Sequence, residues 1–459
     1  LPNVADENVF ALSARCPLLV ALRPHAGFEV SDGLLLEPFH DRGEDIVSFV
    51  AFPGFDENRY RRLEDGTHAL QLLENDVVLL GGEENRGQVE RVLRTLGGFD
   101  LDELVARNEA IVERGLGEGG MRCVDADWQR VLDLNRRIVW SGLDEGGACF
   151  GALNRIYHLI WTRDGSMTTC HMALAGHTLP IRRWAPFLLA NPGREGETPV
   201  FSQMVGTRWS KAEEDGIFYA AWSCFTHFQQ TGDDSLLHGP EFARLLECVD
   251  AHLEKCWDGE CELMGADTIG ETTLPSSPYF GYDIVNGKLV THHDEYGQDP
   301  TLDRCYTYYH QVNTYNVLQM IGVLLQQVPG AGDADRYASF AERLLASLER
   351  QFLDAAGRPI AYFSTHSDGS RRIVRLDDEH NFWEHLWALC QGPFLAQPAA
   401  QVRGARFVRE FWPKDAEERG SRGPGLSPWN VMARRLNDWG LTFDEFRGLV
   451  DEEVQEALT

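Results

Sequence analysis

The hydrophobic period of this chain changes once, near residue 100, and that change limits the folds open to it. Ahead of it, Ile46 to Phe52, His68 to Leu73 and Asp76 to Gly82 are short runs rich in Val, Leu and Phe, separated by Gly, Pro, Asn and Asp. Such runs, bounded by turn-forming residues, predict an antiparallel sheet or sandwich. Behind it, Leu101, Leu104, Val105, Ile111 and Val112 begin a helical spacing that the glycine cluster Gly115 to Gly120 closes. With 459 residues, too many for one ordinary core, two domains are expected. The reading is a β-sandwich-like domain over 1–99, a helical linker over 100–122 and a helical domain over 123–459.

That last domain is a procession of amphipathic helices. Asp127 is an N-cap candidate for a helix through about Leu143, and Asp215 to Thr231 and Phe242 to Trp257 follow. Leu302, Tyr306, Tyr309, Asn313, Val317, Met320 and Leu324 mark the buried face of a long helix; Tyr337, Phe340, Leu344, Leu348 and Phe352 mark the next. Long loops rich in Gly, Pro, Asp and aromatics lie between, notably Gly259 to Pro300, where binding and catalysis usually sit. No fixed repeat runs through the helices, which argues against a short-period solenoid.

A formal charge of −29 repels phosphate backbones and anionic lipid surfaces, so neither nucleic acid nor membrane is expected as a partner. No stretch reaches the roughly 18 apolar residues of a membrane helix. Leu1 to Phe10 lack the basic start and apolar run of a secretory signal, so a cytoplasmic location is expected, although removal of a signal would leave the same sequence. The ten cysteines are scattered, with Cys256 and Cys261 the closest pair. Without a CxxC or a Cys/His ladder, neither a zinc site, a disulfide scaffold nor a cofactor is expected. His292-His293-Asp294-Glu295 does not change this, because four adjacent residues do not converge on one ion without unusual backbone geometry.

Three clusters carry chemistry. Trp161-Thr162-Arg163-Asp164-Gly165 sets a charged hydrogen-bonding pair beside an indole face, a combination that holds two sugar hydroxyls while the ring stacks. It equally fits an Arg–Asp pair capping the next helix. Trp209-Ser210-Lys211-Ala212-Glu213-Glu214-Asp215-Gly216 brings three carboxylates to a helix start, where they also simply complement the helix dipole. Asp267-Thr268-Ile269-Gly270-Glu271 lies in an aromatic, Gly-bent loop, where partial desolvation raises a carboxyl toward the working range of a general acid. A turn whose acidic groups accept backbone N–H bonds fits it as well.

The order of the clusters, from Trp128 through Trp161-Thr162-Arg163-Asp164 to Asp215-Gly216 and a helix ending Gln230-Thr231-Gly232-Asp233, resembles inverting glycosidases of the glucoamylase clan (family 15 and relatives) over about residues 1–330. The resemblance implies a mainly α fold: an (α/α)6 toroid preceded by an antiparallel β domain and a helical linker. It implies a glycoside hydrolase acting on a carbohydrate chain end, without metal or cofactor. Trp161, Arg163 and Asp164 match the segment that binds the terminal sugar, and Asp215 matches a residue near the subsites, with Trp209, Glu214 and Asp267 beside them. Glu271 takes the role of general acid, with Asp267 as the alternative.

The chain departs from that pattern at the general base. In the clan this carboxylate lies near the last barrel helix, and only Pro424 to Thr459 follow the Trp412 region here. About eleven helices are legible where the toroid has twelve. Glu379, beside Asp377 and Asp378, is the nearest internal candidate, and the three also fit the N-cap of a helix through Leu389. Two other functions stay open. A polysaccharide lyase or sugar epimerase would use Tyr306, Tyr308, Tyr309, His310 or Asn313, whose spacing also suits a packed helix face. A sugar-binding protein would need no base.

Overall fold

A computed structural model describes residues 9–13, 17–22, 29–31, 34–41, 44–52, 57–74, 76–83, 85–95, scattered positions between 102 and 122, 124–144, 146–149, 160–195, 198–201, 205, 215–265, 282–285, 288–291, 302–352, 360–375, 393–394, 442 and 444. The chain divides into two compact units, residues 1–118 and 119–459.

The first unit is built from β1 (Val9–Ser13), β2 (Leu18–Leu22), β3 (Glu29–Ser31), β4 (Leu34–Asp41), β5 (Glu44–Ala51), β6 (Tyr60–Arg62), β7 (His68–Leu72), β8 (Val77–Glu83) and the helix α1 (Arg86–Thr95). Its strands form two antiparallel sheets, ordered β1-β8-β5-β4-β3 and β2-β7-β6. The apolar runs are continuous because the larger sheet is buried on both faces. Leu36, Phe49, Ala51, Val77 and Leu79 cluster with Val89 and Val92 of α1. Their neighbours Leu35, Val50 and Val78 point the other way and cluster with Leu70 and Leu72 of the smaller sheet. Helix α1 was not legible in the sequence. Past it, the described positions between 102 and 114 are helical.

In the second unit the helices are α2 (Ala126–Ser141), α3 (Thr162–Leu174), α4 (Leu179–Ala190), α5 (Gly216–Thr231), α6 (Pro240–Cys256), α7 (Tyr308–Gln327) and α8 (Ala334–Gln351). Burial alternates from α4 to α8. Helix α5 is buried at every position from Gly216 to His227, and α7 at every position from Tyr308 to Thr314. By contrast α4, α6 and α8 bury a single stripe, exemplified by Tyr337, Ala341, Leu344 and Leu348 on α8. A helix apolar on all sides must be surrounded, and one with a stripe must cover something. Consistent with this, α5 packs on α3, α4, α6 and α7, and α8 packs on α7. Among the described residues no helix is long and apolar enough to cross a membrane.

Two expected boundaries move. Helix α2 starts at Ala126 because Asp125, not Asp127, caps it: the Asp125 carboxylate accepts the N–H groups of Asp127 and Trp128 at 3.0 and 3.3 Å. Leu302 to Thr307 is a strand, not the first turns of α7, and pairs with Ile360–His366, which pairs in turn with Arg371–Arg375. A spacing of four, as from Leu302 to Tyr306, fits a helical period and a strand period equally. The distant hairpin decides between them, and Thr307 then caps α7 by accepting the His310 N–H at 3.1 Å.

Helices α3 and α4 approach through Gly165. A Cβ at that position would stand 2.4 Å from the Cη2 atom of Trp184, whose indole is fully buried and donates to the Ser166 hydroxyl at 3.1 Å. Gly165→Ala should therefore destabilise the protein by about 1–3 kcal/mol, the usual cost of overpacking a filled core. A urea denaturation midpoint equal to that of the wild type would contradict this packing.

Candidate active site

The three helices α3, α5 and α7 bring their N-terminal ends together. Trp161 is the N-cap residue of α3, so Arg163 and Asp164 sit in its first turn. Asp215 is the N-cap residue of α5, and Tyr309 is the second residue of α7. The Arg163 Nε atom lies 2.9 Å from Asp215 Oδ2, and the Tyr309 hydroxyl donates to the same oxygen at 3.1 Å. Tyr219, one turn into α5, places its hydroxyl 3.5 Å from that of Tyr309.

Burial gives this cluster its character. The Asp215 side chain is 1% exposed and that of Arg163 21%. A carboxylate removed from water persists as an ion only when paired, and here a guanidinium, a phenol and the positive end of α5 surround it. Asp164, mostly buried beside them, behaves differently. Burial, and then the negative charge of Asp215, raise its affinity for a proton, against the opposing pull of Arg163. Two neighbouring carboxyls are thus set apart, with Asp215 tied to a cation and Asp164 holding its proton more tightly than usual. Burial also pushes the nearby Cys149 thiol up to about 12, helped by Asp164 and Asp144. Tyr309, fully buried, has its ionisation pushed far above the ordinary phenol range, so it serves as a hydrogen-bond donor and not as a base.

Behind the cluster a short polar chain locks α3 to α5. The Ser223 hydroxyl donates to Ser166 at 3.0 Å, and Ser166 also receives the Trp184 indole N–H at 3.1 Å. One turn beyond Tyr309 on α7, the buried Asn313 amide has no hydrogen-bond partner among the described residues. A buried amide without a partner is a ready acceptor and donor for a polar ligand.

Of the residues singled out from the sequence, Trp161, Arg163, Asp164 and Asp215 are brought together. Trp209, Glu214, Asp267, Glu271 and Glu379 lie outside the described residues, as do Asp377, Asp378 and His292 to Glu295. Arg163 pairs with a residue on another helix and so does more than cap its own. Sequence reasoning missed the role of Tyr309, which it had placed on a packed face with Tyr306, Tyr308, His310 and Asn313. Those residues separate. The Tyr306 hydroxyl donates to Asp258 at 2.6 Å, Tyr308 packs on Phe352, and His310 meets His252. Also unforeseen is a group of possible metal ligands, His252, Cys256 and His310, whose ligand atoms lie within 4.8 Å of one another.

No family model matches this chain. No curated protein matches it in sequence. Solved structures it is similar to include glycoside hydrolases. One is the GH78 family rhamnosidase of Bacillus sp. GL1, at 15% identity and a TM-score of 0.48, covering 85% of this chain and 34% of that one. Another is a bacterial glucoamylase complexed with acarbose, at 12% identity and a TM-score of 0.42, covering 72% of this chain and 48% of that one. A third is the GH63 mannosylglycerate hydrolase of Thermus thermophilus, at 12% identity and a TM-score of 0.45, covering 71% of this chain and 90% of that one. The chain thus spans about a third of the rhamnosidase and about half of the glucoamylase. At such identities a similar chain path leaves the chemistry of the site to be argued from its own residues.

Two measurements test the cluster. Tyr309→Phe removes a hydrogen bond to a buried carboxylate and should cost about 1.5–3 kcal/mol in urea unfolding; an unchanged midpoint would mean that the phenol does not hold Asp215. Asp164 tests the electrostatics. Because its folded-state pKa is raised above the ordinary 3.8, its contribution to stability is fully present below that value and lost as pH rises through the folded value. Asp164→Asn should flatten that part of the decline in unfolding midpoints as pH rises above 3.8. A variant whose profile parallels the wild type would refute the raised pKa.

Proposed function

We propose that this chain is an exo-acting glycoside hydrolase that inverts the anomeric centre, with its active site at the shared N-terminal end of α3, α5 and α7. The observation that carries the reading is the Arg163–Asp215 ion pair with Asp164 beside it. It offers fixed donors and acceptors where three helix ends meet, next to an indole at Trp161. That is the equipment for one pyranose ring: hydroxyls held by Arg163 and Asp164, a C–H face on an aromatic ring, and no excess charge to attract a polyanion. The orphan amide of Asn313 adds a further hydroxyl partner. The alternation of surrounded and striped helices supports a toroid of the (α/α)6 type over 123–459, following a β domain over 1–99 and a helical linker over 100–122.

In this scheme Arg163 and Asp164 seat the terminal sugar, while Asp215 and Tyr309 keep Arg163 in its rotamer. Trp161, Trp209, Glu214 and Asp267 line the subsites. Glu271 donates its proton to the leaving oxygen as the glycosidic bond breaks. A second carboxylate, for which Glu379 is the candidate, takes a proton from the water that attacks the anomeric carbon from the opposite face. Inversion needs those two groups about 6.5–9.5 Å apart to leave room for the water, against about 5–5.5 Å for a retaining pair. The tyrosine-dependent alternative, a lyase or epimerase, is disfavoured by the strong resistance of Tyr309 to ionisation.

Purified protein incubated with a panel of α- and β-linked disaccharides, with products followed by NMR, tests the reading. Hydrolysis with inverted configuration at the new hemiacetal is expected, and Glu271→Gln should lower the rate by roughly a hundredfold or more. Near-normal turnover by that variant on a substrate with a poor leaving group would remove Glu271 from the role. A product of retained configuration would defeat inversion, and sugar binding without cleavage of any linkage would make this a sugar-binding protein.

A further inference from the structure

We propose that His252, Cys256 and His310 form a zinc-binding site that fastens α6 to α7. His252 and Cys256 are four residues apart on α6, hence on one face, one turn from each other. His310 reaches them from the first turn of α7, and its Nε2 atom lies 3.0 Å from Nε2 of His252. The Cys256 sulfur lies 4.0 Å from Nδ1 of His252, and one ligand atom from each of the three residues falls within 4.8 Å of the others. For an ion with Zn–N near 2.0–2.1 Å and Zn–S near 2.3 Å, tetrahedral geometry sets N···N at about 3.3 Å and S···N at about 3.6 Å. An ion takes one nitrogen of His252, either Nε2, which faces His310, or Nδ1, which faces Cys256, and side-chain shifts of about 1 Å bring the third ligand atom from within 4.8 Å to those spacings.

Burial and donor type point the same way. His310 is 1% exposed and Cys256 6%. A neutral imidazole offers one nitrogen lone pair to an ion. Two imidazole nitrogens and a sulfur make a donor set that suits zinc and excludes the hard cations calcium and magnesium. The site is also well supported. The backbone N–H of His310 donates to the Thr307 hydroxyl at 3.1 Å, and the adjoining Gln311 side-chain amide pairs with both backbone groups of Met264 at 2.7 and 2.8 Å. Because His310 follows Tyr309, an ion here would fix the turn of α7 that presents the phenol to Asp215.

Cobalt(II) added to the full-length chain reads the site without reference to sugar chemistry. A thiolate-to-cobalt absorption band in the near ultraviolet should saturate at about one equivalent per chain and bleach when zinc is added. Cys256→Ser should abolish the band, whereas Cys261→Ser, outside the cluster, should leave it intact. If Cys256→Ser fails to fold, His252→Gln at the half-buried position serves in its place, with the fold checked by circular dichroism and the same loss of tight binding expected. Absence of the band from the wild type, or its persistence in a folded Cys256→Ser or His252→Gln protein, would overturn the proposal.

Discussion

A carboxylate with 1% of its side chain exposed needs a cation close by, and meeting that need for Asp215 organises the second unit. Asp215 opens α5, its counter-ion Arg163 opens α3, and its phenol donor Tyr309 opens α7. For one ion pair and one hydrogen bond to form, the starts of three helices widely separated in the sequence must meet at one place. The packing behind them follows. The close approach of α3 and α4 needs Gly165, and the serine pair of α3 and α5 needs the Trp184 indole beneath it. Breaking the ion pair would strand a charge in the interior, so the ends of these helices are fixed by electrostatics as much as by apolar contact.

The sequence reveals those features whose cause is local. The runs of the first unit, the helix start at Asp215-Gly216 and the apolar stripes of α6 and α8 each follow from neighbours within a turn or a hairpin. What it conceals depends on a distant partner. Leu302 to Thr307 looks helical until the hairpin of Ile360–His366 and Arg371–Arg375 pairs with it. Arg163 reads as a local cap until Asp215 is placed against it. The same limit hides His310 behind His252 and Cys256: an i, i+4 pair on one helix carries no signal about a third side chain that a different helix delivers. At the candidate site, Arg163, Asp164 and Asp215, singled out in the sequence beside Trp161, stand together where helix ends meet. Sequence reasoning missed Tyr309, which contributes by holding another residue still.

The two units solve the burial problem by different means. In the first, neighbouring residues of one strand serve two cores, Leu36 on one side and Leu35 on the other, so consecutive positions of β4 and β5, such as Leu35-Leu36 and Phe49-Val50, are apolar. In the second, whole helices are assigned to the inside or the outside, and α5 carries hardly any charge because none of its first twelve positions meets water. Asp215 stands at the mouth of that dry interior, the place where a buried charge has the most effect on whatever binds beside it.

The position of α5 also governs how the second unit comes apart. A helix that rests on α3, α4, α6 and α7 at once cannot be uncovered by peeling away a single hairpin, as a solenoid permits. Partial opening would wet Trp222, Phe218 and Tyr219 together, which ties the opening of α5 to that of its neighbours. Backbone amides along α5 would then exchange with solvent only when all five helices let go, making that one segment the slowest clock in the molecule.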